Sequence, residues 1–142
     1  MELLASAEID PACGLHGDCK GLKFPKRQIT ILSAEDWDDA LASIAAPALP
    51  WTTRRANLLV RGLRLPRARG AVLRIGEVCV EVTGQTYPCI RMEKAHPGLL
   101  KTLAPAWRGG LTCRVSRGGS IRPGATVEVL VRPPDEKSPH LP

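Results

Sequence analysis

The chain has 142 residues, 44% of them hydrophobic, which is the size of a single domain able to bury a core without disulfide or zinc staples. Thirteen glycines and thirteen prolines make it loop-rich yet leave it short of the composition of a disordered chain. The net charge of +6 is unevenly spread: residues 1–50 carry four bases and eight acids, the remainder sixteen bases and six acids, so the second part suits an anionic partner.

In chain order, MELLASAEID lacks the basic start and apolar run of a secretory leader, and no stretch is long and apolar enough for a membrane span. Lys26 to Leu32, KRQITIL, reads as a strand that runs into Ser33-Ala34-Glu35-Asp36, a capping box that starts a helix at Ala34. Trp37, Leu41 and Ile44 form its apolar stripe, acids load its first turns, and Pro47 and Pro50 set its end near Ala45. Short strands follow over Ala56–Arg61, Ala71–Ile75 and Glu77–Thr83. In the last, EVCVEVT, the valines alternate with Glu77, Cys79, Glu81 and Thr83, the period of a half-buried strand. Two more strands, Leu111–Arg117 and Thr126–Arg132, flank Gly118-Gly119 and the turn former Pro123-Gly124. Many short strands with one long helix predict a mostly β domain with minor α, a barrel with helical decoration. The tail from Pro133 reads as disordered.

Five cysteines, Cys13, Cys19, Cys79, Cys89 and Cys113, fit no closed disulfide set and are expected to be reduced thiols of a cytoplasmic protein. Cys13, His16 and Cys19 supply three metal-ligand types in one loop, but structural zinc wants a fourth, so no zinc is expected there. Phosphate-loop, dinucleotide, nucleophile-elbow and zinc-protease motifs are all missing. Between Arg54 and Arg74 lie seven arginines (Arg54, Arg55, Arg61, Arg64, Arg67, Arg69 and Arg74) and no acid. Guanidinium forks match phosphate oxygens, whereas the stretch has no aromatic ring on which to stack a base, so a small anionic ligand is expected ahead of nucleic acid. Cys89 stands out among the thiols. Pro88 holds Tyr87 extended, CIRMEK then favours a short helix, and a cysteine at its start, with Arg91 and Lys94 nearby, is placed to favour the reactive thiolate. Cys79 and Cys113 sit inside strands and read as packing residues.

Four stretches resemble the MOSC domain, the C-terminal module of molybdenum cofactor sulfurase that is also found as small stand-alone bacterial proteins. They are GLHGDCKG with KRQITIL after it, RANLLVRGL (Arg55 to Leu63), GAVLRIGEVCVEVTGQTYPCIRME (Gly70 to Glu93) and LTCRVSRGGSIRPGATVEVL (Leu111 to Leu130). Its closing turn reads Gly124-Ala125 where the family often has glycine-aspartate. The resemblance implies a barrel like that of pyruvate kinase over residues 14–132, with 1–13 as an N-terminal extension and 133–142 as a tail. It further implies a role with the molybdenum cofactor or with sulfur, and it puts the family's cysteine at Cys89. Cys89 would then carry sulfur as a persulfide received from a pyridoxal-phosphate cysteine desulfurase. Alternatively it would ligate molybdenum in a reductase of N-hydroxylated compounds served by an electron-donor protein, or the domain would be a non-enzymatic binding or assembly module. On the cofactor readings Arg54, Arg55, Arg61 and Arg91 would cradle the pterin's phosphate, and Asn57 would bond its ring edge.

Overall fold

The computed structural model of the protein describes residues 7–11, 14–15, 28–54 and 56–136. Strand β3 (Ile29–Ser33) shows how its two cores arise. Side chains alternate across a strand, so Ile29 and Ile31 point into one apolar cluster while Leu32 points into another. The first cluster lies inside a curled sheet and collects Leu73, Val78, Val80, Val82, Leu111 and Val115. The second lies beneath three helices, α1 (Ala34–Ser43), α2 (Ile90–Ala95) and α3 (Leu99–Leu103), and collects Trp37, Leu41, Met92, Leu99 and Leu103.

The larger sheet adds β4 (Leu58–Val60), β5 (Val72–Ile75), β6 (Val78–Gln85), β7 (Leu111–Arg117) and β9 (Val127–Val131) to β3. Its order is β4-β3-β7-β6-β5-β9, antiparallel except for the parallel β3/β4 pair. Register shifts between Val72 and Leu73, between Cys79 and Val80 and between Val82 and Gly84 curl it into a half-barrel, since each bulge sharpens the local twist. A small second sheet pairs β1 (Ala7–Asp10) with β2 (Gly14–Leu15) and β8 (Gly119–Ile121). The mostly β architecture expected from the alternation is therefore present, with one long helix, a short one after Cys89 and a third, unanticipated, at Leu99–Leu103. Ala7–Asp10, read from sequence as part of an extension, contributes a strand.

Helix α1 begins as its capping box predicts, with Ser33 Oγ accepting from Asp36 N at 3.2 Å. Only half of the box forms. The Asp36 carboxylate turns instead to Arg67, whose Nη2 lies 3.1 and 3.3 Å from its oxygens, and burial raises the Asp36 carboxyl above its ordinary range against the pull of that guanidinium. The helix stops at Ser43, two residues short of the expected end, because Ala45 takes a left-handed backbone (φ 51°) ahead of Pro47. Ser33→Ala should lower stability by about 1 kcal/mol, the usual worth of an N-cap hydroxyl, as read from the urea midpoint.

The arginine stretch meets acids from elsewhere in the chain. Arg61 pairs with Asp38 at 3.8 Å, Arg64 with Asp135 at 2.6 Å, Arg69 with Glu136 at 3.0 Å and Arg74 with Glu128 at 2.7 Å. Backbone groups join in: Arg67 N and Arg69 N donate to the Asp135 and Glu136 carboxylates, Glu136 N donates to Arg67 O, and Arg132 Nη2 donates to Arg64 O. The chain leaving β9 is thereby sewn to the chain leaving β4 across the gap between the two sheet edges. Residues 133–136, read from sequence as the start of a disordered tail, are part of this seam, and 137–142 lie outside the described residues. The side-chain and backbone bonds from Arg69 hold the Glu136 carboxyl below its ordinary range. A depressed carboxylate stabilises the fold above its unfolded-state pKa and loses that contribution as pH falls through its folded value. Carbon-detected NMR titration should therefore find Glu136 protonating at lower pH than a free-peptide glutamate, with the difference reduced in Arg69→Ala, which removes the guanidinium and keeps the backbone N–H donor.

Candidate functional site

Strand β6 ends at Gln85, and the chain then turns through Thr86, Tyr87 and Pro88 to Cys89 and α2. This corner is held from both sides. Thr86 N donates to Gly110 O at 2.9 Å, and the Thr86 hydroxyl donates to Gly109 O. Arg54, from the 3-10 turn Trp51–Arg54, sends Nε to Gly109 O at 3.0 Å and Nη2 to Thr86 O and Oγ1 at 3.1 and 2.9 Å. Gly109 fits so closely beneath this turn that a methyl group on it would run into Thr86 O and touch Pro88.

Cys89 is the N-cap of α2, extended at φ −122° and ψ −178°, with its carbonyl accepting from Met92 N at 2.9 Å. Its side chain is exposed. Downstream, Met92 is buried in the helical core and anchors α2, while Glu93 reaches forward to Gly98 N at 2.9 Å and Leu100 N at 3.3 Å, capping α3. Tyr87, Ile90, Arg91 and Lys94 are all exposed. The result is a thiol open to solvent on backbone fixed before and after it.

The other described thiols differ. Cys79 is half-buried in β6, and Cys113 is fully buried in β7, where burial pushes its thiol far up. All three are free thiols. Cys13, His16 and Cys19 lie outside the described residues, and so does Arg55. Among the described residues no group of three metal-ligating side chains occurs, and no helix is long and apolar enough to cross a membrane.

Of the residues expected around a cofactor, Cys89 and Arg91 stand together at the start of α2. Arg54 is committed to the carbonyls of Thr86 and Gly109, and Arg61 faces Asp38. Asn57 Oδ1 accepts from Thr30 N at 2.8 Å and from Thr30 Oγ1 at 3.1 Å, which fastens the start of β4 to β3. Cys89 is exposed, as its expected place at a helix start requires, while the Arg54 clasp that fixes the corner before it is not visible in the sequence. Arg54 was visible only as a cation, and a carbonyl partner leaves no mark in sequence.

A profile of the MOSC domain matches residues 18–128, most of the chain. The chain belongs to the MOSC domain family. MOSC domains are associated with molybdenum-cofactor proteins. Solved structures share the fold: the YuaD protein of Bacillus subtilis superposes with a TM-score of 0.75 at 19% identity, over 90% of this chain and 86% of that one. YiiM of Escherichia coli gives 0.74 at 18% identity, over 96% of this chain and 68% of its own. YiiM of Geobacillus stearothermophilus gives 0.66 at 22% identity, over 82% and 60%. This MOSC chain thus spans most of YuaD but only about two thirds of the YiiM proteins. No curated protein matches the sequence.

Proposed function

We propose that this MOSC protein is a sulfur carrier in molybdenum-cofactor chemistry, with Cys89 as the residue that holds the sulfur. The observation that carries this reading is the exposed Cys89 thiol on a corner fastened by Arg54, Thr86 and Gly109. A carrier must admit a partner's persulfide to its sulfur, so exposure and a settled backbone are both needed. In the loading step the Cys89 thiolate attacks the terminal sulfur of a persulfide on a cysteine desulfurase. The donor's S–S bond breaks, a new S–S bond forms at Cys89 Sγ, and the donor leaves as its thiolate. The persulfide proton travels with the transferred sulfur, and no net oxidation occurs. A nucleophilic acceptor then takes the terminal sulfur and returns the Cys89 thiolate.

The donor set around Cys89 also suits the molybdenum cofactor itself. A thiolate is a soft ligand fit for molybdenum, and Arg91 and Lys94 are the cations at hand for an anionic pterin group, whereas Arg54, Asn57 and Arg61 already serve the fold. When bound, the metal would supply the redox chemistry of a reductase. Both readings use Cys89, so they part at the product.

The test is the intact mass of reduced protein after incubation with a cysteine desulfurase and L-cysteine. Wild type is expected to gain the mass of sulfur and Cys89→Ser to gain none. Equal gain in both would refute the carrier role. Stoichiometric molybdenum in protein purified from a cofactor-making host, lost in Cys89→Ser, together with no sulfur gain, would favour the metal ligand.

A further inference from the structure

We propose that the exposed strip around Cys89, formed by Tyr87, Ile90, Arg91 and Lys94, is a docking face for the protein that delivers sulfur, and that this partner presents acidic side chains around an apolar centre beside its persulfide cysteine. The inference rests on the carrier role proposed for Cys89. It starts from the exposed surface of two large side chains, Tyr87 at 52% and Ile90 at 59% exposure, which flank the thiol in sequence. The other exposed large hydrophobics among the described residues, Leu130 and Val131, are on β9. Isolated exposed apolar residues are ordinary, but a small donor molecule needs only an open thiol. The exposed apolar surface of a ring and an isoleucine beside that thiol gains free energy when another surface covers it.

Charge specifies the partner. From Arg61 to Arg74 every arginine has an acidic partner, and Arg114 has Glu81. Arg91 and Lys94 have no ion pair among the described residues, and the one acid of their helix, Glu93, is spent on the N-terminus of α3. Helical spacing sets Lys94 beside both Ile90 and Arg91, at four and three residues, while Met92 is buried against the core. One face of α2 is therefore apolar next to the thiol and cationic beyond it, which complements an acidic rim. The bolted corner presents this face without a folding step, so little ordering opposes the encounter.

The experiment follows sulfur loading of full-length reduced protein from a cysteine desulfurase with L-cysteine, and divides each rate by the iodoacetamide alkylation rate of the same thiol. In Ile90→Ser and in the double variant R91E/K94E this ratio is expected to fall about tenfold. Added salt should slow loading of wild type and speed loading of the charge-reversed variant, since screening weakens attraction in one and repulsion in the other. Ratios unchanged in both variants would overturn the docking face and leave the carrier role standing. A wild-type Cys89 that takes sulfur neither from the desulfurase nor from inorganic polysulfide would overturn both.

Discussion

Gly109→Ala is expected to destabilise the protein by about 3 kcal/mol or more, the range of severe steric substitutions. The added methyl would stand well inside 3.0 Å of Thr86 O, within 3.1 Å of Arg54 Nη2 and within 3.4 Å of Pro88 Cδ. Backbone oxygen cannot swing aside as a side chain does, so the turn before Cys89 must shift. That shift breaks the Arg54 bonds to Thr86 and Gly109, leaving a half-buried guanidinium short of acceptors. Gly62→Ala is the matched control. Nothing lies within 4 Å of its new methyl group, and its left-handed φ of 81° should cost about 1 kcal/mol. Urea midpoints for both variants test the difference, and equal midpoints would show that the corner is loosely packed.

Cysteine reactivity should differ by at least about a thousandfold between Cys89 and Cys113, because a buried thiol reacts only when the fold opens. Cys89 is exposed at the N-cap of α2, whereas Cys113 has no accessible surface, lies in the barrel core and is pushed far up by burial. At neutral pH, iodoacetamide should label Cys89 at once and Cys113 only as urea approaches the unfolding midpoint. Mass spectrometry of alkylated peptides gives the two rates separately. Comparable labelling of both thiols in buffer would contradict the packing of β7.

The parts legible in the sequence are those set by near neighbours. EVCVEVT alternates, and Val78, Val80 and Val82 are buried in the barrel as that pattern requires. Ser33 caps α1 because the hydroxyl and the amide it serves are three residues apart. The helix after Cys89 follows from Pro88 and the composition of CIRMEK. What escaped reading depends on distant chain. The seven arginines look free for an anion, yet Asp135 and Glu136 answer Arg64 and Arg69 from about seventy residues away, as sheet topology and not composition dictates. Asp36 has the sequence position of a capping-box partner and is drawn off by Arg67, 31 residues on. Helix α3 is only five residues long, and its start is fixed by the Glu93 carboxylate and by Gly98 at φ 89°, so it is not among the elements expected from sequence. At the site, Cys89 was legible through proline, helix start and family resemblance. Arg54 and Gly109 were not, since one serves carbonyls and the other acts by lacking a side chain.

Sulfur placement on the unaltered protein tests the role of Cys89 most directly. Reduced wild-type protein is incubated with a cysteine desulfurase and L-cysteine, its persulfides are trapped by alkylation, and each of the five cysteines is mapped in peptides. Trapped sulfur is expected on the peptide containing Cys89, at a level near one per chain, with Cys79 and Cys113 unmodified. Sulfur accumulating on any other cysteine while Cys89 stays a simple thiol would contradict the assignment.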